Sequence, residues 1–169
     1  TVCLIYSFLI SLLLTSYFGP PFIPSGKNRM KTMFELGKPS KKDKIIDIGS
    51  GDGRIVIELA KKGYDVTGIE INPFLYFLSN LRIRLLGLQK NARIYHGNFR
   101  NFDYTGFTLV ICYLYPEPMK FLGPIFRKQL PKGARIVSHA FSIPDWKYQK
   151  KENTIYLYIN NFGRTNKQN

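Results

Sequence analysis

Short apolar runs alternate along the chain with longer segments in which apolar residues recur every three or four positions. The runs have the length of buried strands, and the longer segments have the period of helices with one apolar face. Gly, Asn or Pro follows most of the runs within three residues, as is typical where strands end. The alternation predicts an α/β fold with a mainly parallel sheet and helices on both faces. The predicted strands are residues 44–47, 65–70, 92–96, 107–114, 134–138 and 154–159.

Helices are predicted at residues 26–36, 53–63, 72–88 and 119–130. For the first of them, Ser25 is a suitable N-cap and Gly37 a suitable stop. The third has the clearest periodicity, with Asn72 as its N-cap and Pro73 in its first turn. We predict that its apolar stripe packs in the core. The stripe consists of Phe74, Phe77, Leu78, Leu81, Leu85 and Leu88.

The end of the chain departs from this alternation. A charged turn at residues 147–153 precedes the last strand, which predicts a closing antiparallel hairpin, and the sequence after Asn160 is polar. The 169 residues give room for one folded domain. We divide the chain into a hydrophobic N-terminal segment (1–18), an extended proline segment with the leading helix (19–43), the sheet domain (44–160) and a polar tail (161–169).

Residues 2–18 contain no charged side chain and are mostly Leu, Ile, Phe and Tyr. Spanning a bilayer takes about twenty such residues, with a lower limit near seventeen, so we predict a transmembrane anchor. Lys27, Arg29 and Lys31 follow with no acid before Glu35, which predicts a domain at the cytoplasmic face of a membrane. The alternatives are a buried helix of a cytoplasmic protein and a signal peptide, which is disfavoured because no small-residue cleavage site precedes Gly19.

Composition excludes some classes of protein. With 44% apolar and 15% aromatic residues the chain can build a core and is not intrinsically disordered. The formal net charge of +14 lies entirely after residue 26. It is consistent with an ordinary solvated surface, and equally with attraction to anionic lipid, nucleic acid or an acidic protein.

The cysteines and histidines indicate neither a disulfide framework nor a metal site. Cys3 and Cys112 both lie in apolar runs, and no metal-ligand spacing occurs, so we predict no bound metal and no reactive thiol. His96 and His139 lie at the ends of apolar runs. We predict that both are strand-end histidines whose ring nitrogens have hydrogen-bond partners.

The candidate chemistry lies in the glycine loop after the first strand. Gly49, Gly51 and Gly53 remove three β-carbons where the backbone must turn and a ligand can approach, just before a helix N-terminus. A dinucleotide fingerprint would need glycine at position 54, which is Arg54, and a P-loop would need a Gly-Lys-Ser/Thr ending. Nicotinamide cofactors and nucleoside triphosphates are therefore disfavoured.

Two acids and one later turn complete the predicted site. Asp47 before the loop favours a ligand with an amino group, and Glu70 at the end of the second strand can accept both hydroxyls of a ribose. After the third strand, Asn98 is placed to bond an adenine edge and Phe99 to pack on its face. An ordinary Gly-Asn turn at residues 97–98 is an equal alternative.

The acid-x-Gly-x-Gly-x-Gly pattern with an acid after the second strand resembles the S-adenosylmethionine site of the seven-strand methyltransferases. Further motifs resemble the small archaeal and bacterial protein-lysine methyltransferases, which are related to the mitochondrial lysine methyltransferase of the ATP synthase c-subunit. These motifs are Pro-Phe-Ile-Pro24, Gly-Ile-Glu-Ile-Asn72, Gly-Asn-Phe99, Val-Ser-His-Ala-Phe141 and Tyr-Leu-Tyr158. The resemblance implies a Rossmann-like seven-strand sheet that binds S-adenosylmethionine. The implied cofactor-binding residues are Pro24, Ser25, Asp47, Gly49, Ser50, Gly51, Asp52, Gly53, Glu70, Ile71, Asn98 and Phe99.

The implied reaction is methylation of a lysine in a protein, and the substrate can be a membrane protein. We expect the enzyme to be a monomer. Methyl transfer requires a neutral amine held in line with the departing sulfur. A tyrosine after the fourth strand, Tyr113 or Tyr115, could orient that amine, and Tyr113 is the first choice. The alternatives are methylation of RNA or of a small lipid-like molecule, and a non-catalytic module that binds the cofactor. Tyr115-Pro-Glu-Pro118 replaces the Asn-Pro-Pro-aromatic motif of DNA adenine and glutamine methyltransferases, which argues against those substrates.

Overall fold

A computed structural model describes residues 25–162 of the chain. Its centre is one seven-stranded sheet in the order β3-β2-β1-β4-β5-β7-β6. The first five strands pair in parallel, and β7 pairs antiparallel with both β5 and β6. This confirms the predicted fold class and the closing hairpin. The strands are β1 (Lys44–Ile48), β2 (Asp65–Glu70), β3 (Ala92–His96), β4 (Leu109–Cys112), β5 (Arg135–His139), β6 (Lys150–Glu152) and β7 (Ile155–Ile159).

In residues 25–162, four α-helices cover the two faces of this sheet. Three of them, α1 (Lys27–Gly37), α2 (Arg54–Lys61) and α3 (Pro73–Leu85), contribute to one apolar core. The fourth, α4 (Pro116–Gln129), lies in a second core on the opposite face with Tyr104, Trp146 and Tyr158. Alternate strand residues supply the two cores: Ile45 faces the first and Ile46 the second.

The strand order reverses between β1 and β4. From β1 the chain proceeds outward through β2 to β3 and then returns to β4 on the other side of β1. In open parallel sheets, ligands bind beyond the carboxyl ends of the strands at such a switch point. The glycine loop follows β1 at this place, so the topology puts the predicted site where the fold provides a crevice.

The start of α1 differs from the prediction. Gly26 is the N-cap residue, no side chain caps the helix, and Ser25 instead has its carbonyl oxygen 3.2 Å from Arg54 Nη1. The helix also runs through Gly37 to a left-handed Lys38. A β-carbon at Gly37 would lie 3.2 Å from Val137 and 3.3 Å from Leu109. Gly37 is therefore the last helical residue, as predicted, but the left-handed cap is Lys38, and the missing side chain of Gly37 allows close packing on β4 and β5.

The prediction that the stripe on α3 is core is wrong for most of its residues, although Leu88 packs against the first core. Phe74, Phe77, Leu81 and Leu85 are exposed, and the buried residues of α3 are Ser79 and Ile83. The cap was predicted correctly, because Asn72 Oδ1 accepts hydrogen bonds from the N–H groups of Phe74 and Leu75. The stripe thus marks one face of the helix, but that face is the outer one.

Two further expectations concern the ends of the chain. Part of the charged turn predicted at residues 147–153 is the short strand β6, paired with β7. The predicted anchor at residues 2–18 lies outside the described residues, as does the tail after residue 162. Within residues 25–162, no helix has the length and hydropathy needed to cross a membrane.

Candidate functional site

The glycine loop turns as the sequence predicts. Gly49, Gly51 and Gly53 have φ angles of 73°, 57° and 76°, in the left-handed region that L side chains rarely adopt. The N–H groups of Gly49 and Ser50 both donate to the Ile69 carbonyl oxygen, at 2.9 and 3.0 Å. These bonds tie the loop to the end of β2.

A glycine in β2 allows this approach, and its role was not predicted. A β-carbon at Gly68 would lie 2.7 Å from Ser50 Oγ and 2.5 Å from Ile94 Cδ1. Side chains cannot come this close, so Gly68 is required where the loop crosses the sheet. A lone glycine inside a strand was the available signal, because it often marks a close approach of backbone.

Glu70 connects the loop to the start of α3. Its Oε2 accepts a hydrogen bond from the Gly51 N–H at 2.8 Å, and its Oε1 accepts one from the Asn72 N–H at 2.8 Å. Glu70 is buried at the carboxyl end of β2. One carboxylate therefore fixes two segments that border the predicted ribose position.

Asp47 is a buried acid at the other side of the loop. Only 3% of the residue is exposed, and no hydrogen bond to its carboxyl group comes from residues 25–162. Burial raises the pKa of this carboxyl to about 8, and the negative charges of Glu70 and Asp52 add to the rise. An unpaired buried carboxyl is costly, so the site favours a positively charged ligand group beside it.

Asp52 stands apart from these two acids. Its carboxylate accepts from Arg54 Nε at 2.9 Å and from Arg82 Nη1 at 2.7 Å. Burial alone would raise the pKa of Asp52, but the arginine hydrogen bonds and charges outweigh it and lower the pKa. Asp52 thus joins the start of α2 to α3, and its carboxylate already has two cationic partners.

The turn after β3 lies at the same edge of the sheet. Asn98 is exposed, and its Oδ1 accepts from the Arg100 N–H at 2.9 Å, as in the ordinary turn that was the alternative prediction. This hydrogen bond uses only the side-chain oxygen of Asn98 and not its amide N–H groups. Phe99 is half-buried against the second core, and the Ile71 carbonyl oxygen is 3.0 Å from His96 Nε2. The prediction that His96 has a hydrogen-bond partner is confirmed.

His139 does not fit the prediction made for it. The residue is 3% exposed, and its Nδ1 is buried without a hydrogen-bond partner in the described part of the chain. Its ring lies against the ring of Tyr113, with centroids 4.1 Å apart. Burial and the positive charge of Arg29 both lower the pKa of His139, so the imidazole is uncharged at neutral pH.

Register places this pair beside the glycine loop. Ile48, Cys112 and Ser138 are level in the sheet, so Gly49, Tyr113 and His139 are the next residues of three neighbouring strands. A β-carbon on Gly49 would lie 3.1 Å from Leu114 Cδ2, which shows how closely the loop and the β4 end approach. The sequence signal for His139 was its position at a strand end, which alone does not distinguish a bonded ring from an unbonded one.

Two predicted residues lie near the start of α1. Ser25 is buried beside Arg54, and Pro24 lies outside the described residues. Ser25 also borders an open groove between α1, α2 and α3, which contains neither Asp47 nor Glu70. The acids and glycines therefore place the candidate site at the strand ends, not in this groove. Cys112 is not a reactive group, because burial raises the pKa of its thiol to about 12.

Comparison with known proteins identifies the family. Residues 47–150 match the family described as the ANTKMT methyltransferase domain. A protein-lysine N-methyltransferase of Saccharolobus islandicus (strain REY15A) is 33% identical over 82% of this chain and 92% of its own length. The Xenopus laevis lysine N-methyltransferase named for the ATP synthase c-subunit is 30% identical over 75% of this chain, which spans about half of that relative, 55%.

A solved structure is similar over nearly the whole described fold. It is the RNA methyltransferase from Salinibacter ruber in complex with S-adenosyl-L-homocysteine. The TM-score is 0.80 at 30% sequence identity, and the match covers 87% of this chain and 99% of the other. The fold, the glycine loop and these similarities all indicate a methyltransferase. The names of the relatives differ in the acceptor of the methyl group, which is a protein lysine in two of them and RNA in the third.

Proposed function

The chain belongs to the family of ANTKMT methyltransferase domains, and from this premise we propose that it methylates the ε-amine of a lysine in a protein, using S-adenosylmethionine. The observation that carries the proposal is the pair of buried acids around the glycine loop, one unpaired within residues 25–162 and one holding the loop. The relatives named for protein lysines support the choice of acceptor. A membrane protein is one such acceptor, and we propose that the chain acts as a monomer.

The described residues fit the proposed cofactor. Asp47 would bind its ammonium group, since an opposite charge relieves the cost of the buried carboxylate. Glu70 would bind the ribose hydroxyls, and the positive-φ glycines leave room for the ligand against the backbone. Ser50 Oγ, which is buried without a partner within residues 25–162, is a further available polar atom. Asn98 and Phe99 would border the adenine ring.

Tyr113 and His139 would form the acceptor side. The cofactor would supply a methyl carbon bonded to a positively charged sulfur. The lone pair of an uncharged amine would form the new nitrogen–carbon bond as the carbon–sulfur bond breaks and the sulfur leaves as a neutral thioether. The Tyr113 hydroxyl would accept a hydrogen bond from the incoming amine and so direct its lone pair. His139 would act as a positioning residue that holds the Tyr113 ring, and its uncharged state adds no positive charge beside a cationic ligand.

RNA is the second candidate acceptor. The name of the Salinibacter ruber relative and the net charge of +14 favour it. Against it, the relatives matched across this domain include several named for protein lysines. The lipid-like acceptor and the non-catalytic module have no comparable support.

One experiment separates these acceptors. The protein is incubated with S-adenosylmethionine labelled in its methyl group and a cell extract, and the product is divided between protease and nuclease digestion. We expect protease digestion to release the label from the product and nuclease digestion to leave the label in the product. Nuclease-sensitive label would replace the lysine proposal by the RNA one, and absence of transfer to any fraction would remove both.

Membrane anchoring by residues 2–18 is a separate proposal. Its support is the uncharged run followed by Lys27, Arg29 and Lys31, which would place the domain at the cytoplasmic face. The protein should then stay with membranes after alkaline carbonate washing. Release into the wash would reject the anchor and leave the methyltransferase proposal unaffected.

A further inference from the structure

Helix α3 presents an apolar surface to the outside of the molecule. Phe74, Phe77, Leu81 and Leu85 form its outer stripe, and Leu86 follows directly after the helix. Phe77 is 64% exposed and Leu85 77%. At about 100° per residue these four side chains fall within one narrow sector, opposite the buried Ser79 and Ile83. We call this stripe the α3 surface; Leu86 borders the groove between α1, α2 and α3 and is not part of it.

Positive charges flank this surface. Arg84 is exposed and projects beside the stripe, about 60° from its centre. Arg82 projects about 100° from that centre on the other side, and its guanidinium donates to Asp52. From residue 71 to residue 102 the sequence contains no Asp or Glu, but it contains Arg82, Arg84, Lys90, Arg93 and Arg100. Of these, Arg82 is paired with Asp52 and Arg93 with Asp65. This stretch forms α3, the turn after it and the edge strand β3, so the cations and the apolar stripe belong to one side of the domain.

We propose that the α3 surface docks on the interface of an anionic lipid bilayer, with the stripe in the headgroup region and the exposed Arg84 and Lys90 on lipid phosphates. A helix with an apolar face, a basic flank and modest overall hydropathy has the properties of interfacial membrane binding. Cations near an anionic membrane surface add to the attraction. Large exposed apolar patches mark interaction sites, and this one has no acid on its own stretch of chain to repel lipid phosphate.

Other occupants fit this chemistry less well. Two copies of the α3 surface would bring their arginines together in a symmetric contact, where like charges repel. Residues 2–18 carry no charge and would leave the flanking cations without partners. Single-stranded RNA needs aromatic rings for base stacking, but two of the four residues in the surface are leucine.

Docking in this way would place the candidate site next to the membrane. Helix α3 starts beside Glu70, whose Oε1 accepts from the Asn72 N–H, so Phe74 and Phe77 lie at the end of the helix closest to the predicted ribose position. This placement favours acceptor lysines near the lipid headgroups, a conclusion that rests on the proposed function. Lipid binding itself requires no turnover, so its test is independent of methylation.

The test is the difference in co-sedimentation of the full chain between phosphatidylcholine vesicles with and without phosphatidylglycerol, because insertion of the uncharged residues 2–18 would contribute equally to both. We compare Phe77→Ser/Leu85→Ser with the control Tyr148→Ser/Phe162→Ser, which removes two exposed aromatic side chains at other places on the domain. The stripe variant should lose at least tenfold in affinity for the anionic vesicles, and the control should keep the wild-type affinity. Arg84→Gln/Lys90→Gln should lose roughly fivefold per charge, on anionic vesicles alone.

Several results would overturn the proposal. The first is that the wild-type protein fails to sediment with anionic vesicles, and the second is that the wild type and the stripe variant sediment equally. The third is that the stripe variant loses self-association but keeps lipid binding. Unchanged vesicle binding with weakened RNA binding in the charge variant would reassign the surface to RNA. Circular dichroism verifies that each variant is folded, and if the stripe variant is not, the charge variant decides.

Discussion

Glu70 Oε2 accepts a hydrogen bond from the Gly51 N–H at 2.8 Å, so the acid that ends β2 holds the loop that follows β1. Because the other carboxylate oxygen accepts from Asn72, replacement by an amide leaves one of these N–H groups facing an NH₂ group. Glu70→Gln should weaken S-adenosylmethionine binding by about 10- to 100-fold. Calorimetric titration measures the affinity, with Glu58→Gln on the exposed side of α2 as the control. Equal affinities in both variants would contradict the assignment of Glu70.

Asp47 should couple cofactor binding to pH. Its pKa of about 8 keeps it protonated at neutral pH, whereas an ammonium ligand favours the carboxylate, so binding releases a proton. Affinity should rise about tenfold per pH unit between roughly pH 6 and 7.5. Titrations in buffers of different ionisation enthalpy count the released protons. A pH-independent affinity with no proton release would show that Asp47 does not bind the ammonium group.

The raised pKa of Asp47 also makes the stability of the ligand-free protein depend on pH. A carboxyl whose pKa is raised in the folded state contributes stability below its unfolded value of 3.8, and this is lost as pH rises through about 8. Asp47→Asn removes the titrating group. Its free energy of unfolding, relative to the wild type, should therefore increase from pH 5 to pH 8.5, as measured by urea denaturation. A relative stability that does not change with pH would contradict the raised pKa.

The loop and its two acids could be predicted from the sequence because they are local features. Positive-φ glycines between a strand and a helix, with acids at fixed offsets, determine the geometry of Asp47 and Glu70 almost alone. The outer face of α3 could not be predicted, since periodicity identifies one apolar face but not whether the sheet covers it. The environment of His139 Nδ1 depends on contacts between β4, β5 and α1, which the sequence spacing does not encode.

Gly68 should be essential for the loop rather than for the sheet alone. A methyl group at this position would lie 2.7 Å from Ser50 Oγ, so Gly68→Ala must displace the loop. We expect a loss of about 1 to 3 kcal/mol in stability and a larger proportional loss in cofactor affinity. Gly26→Ala is the control, because its added methyl group meets no atom within 4 Å. Wild-type cofactor affinity in Gly68→Ala would show that the loop can move without cost.

Tyr113 and His139 should affect turnover but not cofactor binding. Tyr113→Phe removes the proposed hydrogen-bond acceptor for the amine, so kcat should fall at least about tenfold with an unchanged Kd for S-adenosylmethionine. His139→Leu should lower kcat as well, because the Tyr113 ring loses its support. If His139 acts through Tyr113, the double variant should be no slower than Tyr113→Phe. Additive losses would mean independent roles, and Tyr148→Phe is the control.

Identification of the methylated residue tests the proposed methyl transfer to lysine most directly. The wild type and Glu70→Ala are each incubated with S-adenosylmethionine carrying a deuterated methyl group and a membrane extract, and the proteins are analysed by mass spectrometry. We expect deuterated methyl groups on lysine side chains in the wild-type sample and none in the variant sample. Deuterated methyl groups found in RNA, with unlabelled lysines, would contradict the lysine proposal.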